Sequence, residues 1–399
     1  MGDTSIEWTD VVWNPTRGCS RVSPGCGGGT SGNRKGGCYA ERMAIRLAGP
    51  GQPYEGLVKS TPAGPRWTGK VVLDAEKLAE PLRWRKPRRV FVNSMSDLFH
   101  ESLQVKDIAL VFAAMALARR HTFQVLTKRA DVMARTVGSE DFKGLVLSIA
   151  SMEATRRGLK LEPCELRWPL PNVWLGVSVE DQQRADERIS QLLRTPAEVR
   201  WLSCEPLLGP VDLSQWLERI DHCNSCGAEN APQGPDRCPE CGHEGTLIST
   251  WGAKQAENYR SGARYENGGP NDEEDGPQLH WVVVGGESGP AARPMHPVWA
   301  RRLRDQCVAA GTCFFLKQWG AWKPCCSMTE QEADALYEPV PEGMPSDSTR
   351  RCRVPVVTFP TEPLPVGGEV HTLFALGKTA AGRVLDGRTW DEMPEVSRG

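Results

Sequence analysis

The sequence lacks the features of a membrane or exported protein. Its first residues, MGDTSIEWTD, contain no basic stretch followed by an apolar one, and no run approaches the roughly 18 apolar residues of a membrane helix. We therefore expect a cytoplasmic protein with no membrane contact. A strong net charge is lacking too, since 48 Lys and Arg oppose 50 Asp and Glu and leave −2. Any contact with nucleic acid must therefore come from a local patch.

Familiar motifs of nucleotide-binding proteins and hydrolases are also missing. The chain contains no P-loop, no dinucleotide-binding fingerprint and no nucleophile elbow. What it does contain is an ordinary globular composition, with 39% hydrophobic and 25% charged residues, and 40 Gly and 31 Pro that indicate many turns and long loops. It also has 14 cysteines, several at short spacings, which in the cytoplasm favour metal ligation over disulfides.

Short β-rich runs alternate with helix-like segments along most of the chain. Each run ends in polar or glycine residues, a rhythm that predicts β/α units with a parallel sheet. The predicted strands are residues 89–94, 123–127, 173–178, 199–203, 281–285 and 313–317, with a first strand within 9–18, and the predicted helices are 106–120, 181–194 and 297–310. Six or seven such units predict an α/β fold, a partial or complete TIM-like (β/α) barrel, with a doubly wound open sheet as the alternative.

Three segments interrupt this array. Residues 49–68 are rich in Gly and Pro and predict a surface loop, whereas 218–279 carry their own cysteines and 324–370 are irregular. We therefore divide the chain into a first part of the barrel with the N-terminal cysteine loop (1–217), an inserted zinc-ribbon module (218–279), a last part of the barrel (280–323) and an irregular C-terminal extension (324–399).

The first cysteine cluster lies in the run GCSRVSPGCGGGTSGNRKGGCYAERMA. Cys19, Cys26 and Cys38 share one Gly-rich loop that ends where a helix begins near Tyr39. Structural zinc normally takes four protein ligands, whereas an iron–sulfur cluster held by three cysteines keeps one iron open for another ligand. The loop therefore favours an iron–sulfur cluster. The alternatives are a zinc site completed by a distant Cys or His, and three unrelated thiols.

The second cysteine cluster, CNSC followed by CPEC, indicates zinc. Two C-x-x-C pairs form two tight knuckles whose four thiolates complete a tetrahedron, and so small a module folds around its metal. The zinc ligands are Cys223, Cys226, Cys238 and Cys241. His222 and His243 flank this complete shell as bystanders, and the contribution of the ribbon to function stays open.

Polar residues follow nearly every predicted strand. In a parallel sheet these positions meet at the carboxyl-terminal edge, where α/β enzymes place their chemistry. They are Asn93, Ser94, Ser96, Asp97, Thr127, Lys128, Arg129, Ser178, Glu180, Asp181, Ser203, Cys204, Glu205, residues 285–288, Lys317 and Gln318. Any one of them could be a helix cap or a surface contact, but together they predict a polar pocket.

A resemblance covers nearly the whole chain outside the inserts. It rests on WTDVVWNPTRGCSRVSPGC, CYAERMA, FVNSMSDLFHE, FQVLTKR, VWLGVSVEDQ, LSCEPLLGPV, HWVVVGGESGPAARPM, FFLKQWG and GRVLDGRTWDEMP. The chain resembles an uncharacterised phage and bacterial family named for three cysteines, which is similar to radical S-adenosylmethionine enzymes and distantly to spore photoproduct lyase. The resemblance implies a β/α barrel of the radical S-adenosylmethionine type, with a [4Fe–4S] cluster and S-adenosylmethionine as cofactors. Relatives have two residues between the second and third cysteines, and this chain has eleven, GGGTSGNRKGG.

The resemblance also implies roles for residues after the strands. Contacts to S-adenosylmethionine would come from Tyr39, Asn93, Ser94, Ser178, Glu180 and Glu205. Candidate catalytic residues are Glu287, Cys204 and Lys317. Cys204 would donate a hydrogen atom to a product radical, and Lys128 or Lys317 would pair with a carboxylate or phosphate. Simpler interpretations are that Tyr39 packs at a helix start and that Cys204 is a small buried thiol.

The leading functional hypothesis is a radical enzyme that modifies or repairs DNA, RNA or a nucleotide, with electrons from a reductant such as flavodoxin or ferredoxin. A second hypothesis is a zinc-stabilised nucleic-acid-binding protein or metal-dependent nuclease on a degenerate barrel. Its divalent metal would be held by Asp97, Glu180, Glu205 and Glu287. A third is a non-enzymatic partner of a neighbouring gene product.

Overall fold

The computed structural model describes most of the chain. The described residues are 4, 6–27, 38–159, 166–217, 278–289, 291–340, 350–359 and 371–395, and the backbone alone is described for 219–223, 229–230 and 247–251.

Seven parallel strands form the central sheet, and each pairs with the strand that follows it in the sequence. They are β1 (Val11–Trp13), β2 (Arg89–Val92), β3 (Thr122–Thr127), β4 (Val173–Ser178), β5 (Val199–Cys204), β6 (Trp281–Gly285) and β7 (Cys313–Gln318). The order never reverses, which excludes the doubly wound alternative. Both edge strands, β1 and β7, are fully described and do not pair with each other. The sheet is therefore a half-barrel, compatible with a partial TIM-like fold.

Ten helices lie within the described residues, and the longer ones cover the outer face of this sheet. They are α1 (Tyr39–Ala44), α2 (Glu80–Arg83), α3 (Val105–Leu117), α4 (Ala130–Val137), α5 (Glu140–Arg156), α6 (Gln182–Arg194), α7 (Ser214–Leu217), α8 (Pro297–Ala310), α9 (Glu330–Asp334) and α10 (Lys378–Ala381). The sequence predicted α3, α6 and α8 but neither α4 nor α5. The buried stripe of α5 is only one residue wide, at Phe142, Val146, Ala150 and Ala154, so its helical period is weak. Within the described ranges, no helix is long and apolar enough to cross a bilayer.

The strands alternate between two apolar layers, as strand geometry requires. One set of side chains, including Val90, Leu175 and Val282, packs against the helices. The other set faces the inside of the half-barrel and is dominated by tryptophan. Its members are Trp174, Val199, Trp201, Trp281, Val283 and Phe315, and Trp8, which precedes β1, packs with them. We call Trp8, Trp174, Trp201 and Trp281 the tryptophan plug.

The plug fills the lower part of the barrel interior. The ring of Trp201 lies 5.3 Å from that of Trp8 and 5.4 Å from that of Trp281. Gly176 makes room for it, because a Cβ at this position would overlap the Trp201 indole. The same alternation places smaller or polar inward residues above the plug, at the carboxyl ends of the strands. These are Ser178, Ser203, Gly285 and Lys317, and we call the space they surround the mouth.

The C-terminal extension is more regular than the sequence indicated. Trp322–Pro324, His371–Ala375 and Val356–Phe359 form a three-stranded antiparallel sheet, which corrects the expectation of an irregular segment. The chain then runs antiparallel along the open edge of β7, where the Leu316 N–H donates to the Trp390 carbonyl at 3.0 Å. An unpaired strand edge is a liability, and this segment covers it.

Several small sheets lie outside the barrel. Thr16–Arg17 pairs with Val72–Leu73, Val58–Lys59 with Arg66–Trp67 inside the predicted loop, and Tyr337–Pro339 with Arg350–Cys352; short 3-10 helices occur at Pro24–Cys26, Ile45–Leu47, Ala75–Ala79 and Cys325–Ser327. In the insert, Arg219–Cys223 pairs antiparallel with Glu229–Asn230 and with Leu247–Trp251. The Cys223 side chain and all of Cys226, Cys238 and Cys241 lie outside the described residues, so the zinc-ribbon prediction stays a prediction.

Candidate functional site

The three N-terminal cysteines lie on the loop that follows β1. Cys26 ends the short 3-10 helix and is 9% exposed, and Cys38 immediately precedes α1. Burial raises the pKa of the Cys19 thiol and, together with the nearby Asp97, Cys38 and Cys26, brings it to about 12. Burial also raises the pKa of the Cys38 thiol, with a further contribution from Cys26. Cys26 and Cys38 thus act electrostatically on Cys19, and Cys26 acts on Cys38, so the three thiols lie in the same region of the loop.

The loop fits an iron–sulfur cluster. Gly18 and Gly27 have φ values of 92° and 85°, which L side chains rarely adopt. Gly18 also lies against the Lys70 carbonyl, where a Cβ would overlap. The Val22 N–H points at Cys26 Sγ from 3.5 Å, a contact of the type that tunes cluster sulfurs. Within the described ranges, no group of three or more His, Cys, Asp or Glu could hold a metal ion. Cluster cysteines each bind a different iron, so such a grouping is not required of them.

A buried ion pair joins the two ends of the loop. The guanidinium of Arg21 pairs with the fully buried Glu41 of α1 through Nε at 3.0 Å and through Nη2. Its Nη1 also donates to the Gly27 carbonyl at 2.7 Å. Glu41 accepts in addition from the Trp67 N–H at 3.1 Å. These contacts hold the chain on both sides of residues 28–37.

Glu180, just after β4, anchors the middle of the loop from the barrel side. It is fully buried and accepts from Ser23 Oγ at 2.5 Å, while Lys128 Nζ lies at 3.4 Å and Arg188 Nη1 at 2.9 Å. Gly25 packs on its carboxylate so closely that a Cβ would overlap. Burial alone would raise the pKa of the Glu180 carboxyl, but the two cations and the Ser23 hydrogen bond lower it overall. Glu180 is therefore ionised at neutral pH and holds the cysteine loop on the barrel.

Arg129, just after β3, links the barrel to Cys19. Its Nη1 lies 3.1 Å from Asp97 Oδ2 and 4.0 Å from Cys19 Sγ, and its Nε donates to Glu101 at 2.8 Å. Asp97 is held in turn by Thr127 Oγ1 at 2.7 Å. Burial opposes the charge of Arg129, but the anionic neighbours raise its pKa overall. A permanent positive charge therefore lies beside the Cys19 sulfur.

His100 supports the same corner of the site. The Ser102 N–H donates to His100 Nδ1 at 3.1 Å, so Nε2 carries the ring proton and donates to Ser20 Oγ at 2.9 Å. Burial lowers the pKa of His100, and Arg129 lowers it further. The ring is therefore neutral near pH 7. Ser20 also accepts from Arg129 Nη2 at 2.7 Å, so the residue next to Cys19 is held from two sides.

Two further ion pairs border the mouth. Arg293 makes a bidentate contact with Glu287, at 2.8 and 3.0 Å, and reaches the Pro24 carbonyl of the cysteine loop at 3.1 Å. Lys317 Nζ lies 3.1 Å from Glu205 Oε2 and 6.0 Å from the centre of the Trp8 ring. Lys317 thus marks the boundary between the mouth and the tryptophan plug.

The remaining residues predicted to contact S-adenosylmethionine differ in burial and in their distance from the mouth. Asn93 is buried, with φ 61°, and its Oδ1 accepts from the Thr16 N–H at 3.3 Å. Its Nδ2 is buried without a hydrogen-bond partner among the described residues, so it remains available to a ligand. Ser178 lines the mouth, whereas Ser94 Oγ donates to Asn14 at 3.3 Å. Tyr39 is 60% exposed and does not pack at the helix start.

Cys204 lies away from the mouth. It is fully buried in the layer between sheet and helices, and burial raises its pKa. This placement matches the simpler interpretation of a small buried thiol, and the hydrogen-donor role gains no geometric support.

The four carboxylates of the nuclease hypothesis are already paired with cations. Asp97 contacts Arg129, and Glu180 contacts Lys128 and Arg188. Glu205 contacts Lys317, and Glu287 contacts Arg293. The described part of the chain brings no three of them together around a metal position. Their arrangement therefore gives the nuclease hypothesis no support.

Sequence reasoning missed Arg188 and Glu41. Arg188 is 5% exposed and lies on the face of α6 that also buries Ala185 and Ile189. A cation on the apolar face of an amphipathic helix was the available signal, because a buried charge needs a partner. Glu41 gave the same signal, lying between the buried Ala40 and Ala44 of α1.

Comparison with known proteins gives a family for this chain but no related protein of known function. Neither the curated proteins nor the solved structures contain a match to this chain. The sequence model of one family, described as protein of unknown function (DUF5131), matches residues 3–394. Because this match covers nearly the whole chain, the protein belongs to the DUF5131 family.

Proposed function

We propose that the protein is a radical S-adenosylmethionine enzyme with a [4Fe–4S] cluster on Cys19, Cys26 and Cys38. One observation supports this most: three cysteines lie on one braced, Gly-containing loop at the carboxyl end of a parallel half-barrel. Three cysteine ligands leave one iron open for the amino and carboxylate groups of S-adenosylmethionine. When bound there, the cluster would supply one electron for reductive cleavage of this sulfonium, which releases methionine and leaves a 5′-deoxyadenosyl radical.

The residues of the chain itself bind and orient S-adenosylmethionine and the substrate, and they exclude water from the mouth. Asn93 Nδ2 is the buried donor free to hydrogen-bond S-adenosylmethionine, and Ser178 adds a hydroxyl inside the mouth. Lys317, held by Glu205, provides a cation for a carboxylate or phosphate. The tryptophan plug closes the barrel from below, so that water reaches the mouth from one side only. Glu180 and Arg293 keep the cysteine loop fixed above it.

The substrate class belongs to the same proposal. A nucleic acid or a nucleotide is favoured by the resemblance and by Lys317 at the mouth, and the electron comes from a flavodoxin or ferredoxin in the cytoplasm. Cys223, Cys226, Cys238 and Cys241 hold a structural zinc in the insert.

Product analysis tests the proposal. The protein is purified and reconstituted without oxygen, then mixed with dithionite and S-adenosylmethionine, and 5′-deoxyadenosine is quantified by chromatography. The control is a variant in which Cys325, Cys326 and Cys352, all outside the site, are replaced by Ala. We expect 5′-deoxyadenosine from the wild type and from this control, and none from the variant lacking Cys19, Cys26 and Cys38. A wild type that holds its cluster and releases no 5′-deoxyadenosine would contradict the radical assignment.

A further inference from the structure

The end of the barrel opposite to the mouth carries a concentrated positive charge. Six cations precede β2 and β3 within two short segments, LRWRKPRRV and ARRHT. They are Arg83, Arg85, Lys86, Arg88, Arg119 and Arg120, and we call them the basic patch. Arg83, Arg85, Lys86, Arg119 and Arg120 are exposed and Arg88 is half-buried. Because both segments enter parallel strands at their amino ends, the patch lies at the edge farthest from the cysteines.

The two segments form one surface rather than two separate loops. The Thr122 N–H donates to the Arg88 carbonyl at 2.9 Å, which joins the strand entrances. Arg120 Nη1 donates to the Trp84 carbonyl at 3.5 Å, and the Trp84 ring lies edge-on to His121 at 5.5 Å. Arg120 and Arg88 both lower the pKa of His121 after burial has done so. Their charges therefore act at the same place.

The four cations of the first segment are not neutralised by neighbouring anions among the described residues. At its margin Asp10 pairs with Arg89 at 3.2 Å and Glu80 pairs with Lys77 at 3.2 Å. Within the described part of the chain, no ion pair involves Arg83, Arg85, Lys86 or Arg88. Helix α5 shows the ordinary arrangement instead, since Glu153 pairs there with both Arg156 and Arg157. In a chain of net charge −2, the basic patch is a local excess that needs an anionic partner.

We propose that the basic patch binds the phosphate backbone of a nucleic acid. Five of its six cations are arginine, whose planar guanidinium makes bidentate contacts with phosphate oxygens. A duplex presents a phosphate charge about every 1.7 Å along its axis, which matches several closely spaced cations. Contacts to phosphate carry no sequence information, so we expect this binding to be independent of sequence. This inference depends on the patch alone and stands whether or not the cysteines hold a cluster.

Salt-dependent binding of labelled duplex DNA or RNA, about 30 base pairs long, tests the proposal. The variant replaces Arg83, Arg85 and Lys86 by Gln. A matched control replaces Arg135, Arg156 and Arg157 by Gln, which removes the same charge from α4 and α5, where each cation has an acidic partner. Vesicles of phosphatidylserine and phosphatidylcholine serve as a second polyanion, and circular dichroism checks the folding of each variant.

We expect the wild type and the control to bind the duplex with the same salt dependence. In the patch variant, the slope of log K against log salt falls by about two to three units, since each lost phosphate contact removes about 0.9. Equal losses in the two variants would overturn the proposal, because net charge rather than the patch would then govern binding. Binding to the vesicles without binding to either nucleic acid would overturn it too, as would no binding to any probe.

Discussion

The two halves of the barrel interior are built from the same strands but differ in polarity and packing. In the lower half, β4, β5 and β6 point Trp174, Trp201 and Trp281 inward, and the rings contact one another at 5.4 to 5.9 Å. In the upper half, β4 and β5 point Ser178 and Ser203 inward. One half is a packed apolar plug and the other is a polar mouth beneath the cysteine loop.

The comparison teaches that stability and chemistry are separated along the strands rather than between domains. Side chains of one strand that lie two or four residues apart share a face. The inward residue two or four positions after a plug residue therefore lies in the mouth. Buried aromatic rings supply a large share of the apolar burial. The mouth instead keeps its charges in ion pairs, such as Glu180 with Arg188 at 2.9 Å. Substitutions in the two halves should therefore have separable effects.

Trp201→Ala should produce the largest loss of stability. The residue is fully buried among three other tryptophans, and removing such a ring costs about 3–5 kcal/mol because of lost transfer energy and the cavity left behind. Urea unfolding followed by circular dichroism measures the loss. The folded fraction should still bind iron in the wild-type ratio. A variant that unfolds at the wild-type urea concentration would show that the plug does not stabilise the barrel.

Glu180→Gln should affect both halves, to a smaller extent. The substitution leaves Arg188 buried without its anion and weakens the Ser23 contact, which costs about 2–3 kcal/mol. Because the folded carboxyl has a lowered pKa, its stabilising effect is complete above the unfolded pKa and is lost as pH falls through the folded value. The gap in unfolding free energy between wild type and variant should therefore close in acid.

Iron content adds a second readout for Glu180→Gln. The cysteine loop loses one of its contacts with the barrel, so iron per chain should fall below the wild-type ratio, whereas Asp131→Asn on the exposed face of α4 should leave it unchanged. Wild-type iron content in Glu180→Gln would mean that the loop is held by its other contacts alone.

Gly176→Ala tests the interface between strand and plug. The added methyl overlaps the Trp201 indole, and forced overpacking of this kind costs about 1–3 kcal/mol. Gly144→Ala in α5 is a useful control, because its Cβ would meet open space and should stabilise the helix slightly. Thermal unfolding compares the two, and equal midpoints would mean that the indole can move away.

His296→Asn should have the smallest effect, outside both halves. Burial lowers the pKa of His296 and, together with His371, Arg301 and Arg302, brings it to about 4. Because the pKa of this histidine is lowered in the folded state, the stability that its neutral form contributes is complete above about pH 6.5 and is lost as the pH falls toward 4. Asn keeps the helix cap to the Val298 N–H. The variant should lose about 1 kcal/mol less than wild type over this range, and identical pH profiles would contradict the shift.

Much of the barrel was predictable because its strands are continuous apolar runs. The strands 173–178 and 281–285 were predicted with the bounds that the structure shows. The pairing of the segment around Trp390 with the edge of β7 was not predicted, because it joins distant parts of the chain. The same reason hides the pairing of Lys317 with Glu205, 112 positions apart. The cysteines could be grouped from one loop, whereas their supports come from four different strands.

Metal analysis of the anaerobically reconstituted protein tests the central claim most directly. Iron, sulfide and zinc are measured in the wild type and in the variant with Cys19, Cys26 and Cys38 replaced by Ala. The account predicts about four irons and four sulfides per wild-type chain, neither in the variant, and equal zinc in both. Zinc alone in both proteins, with no difference between them, would contradict the assignment of a cluster to these three cysteines.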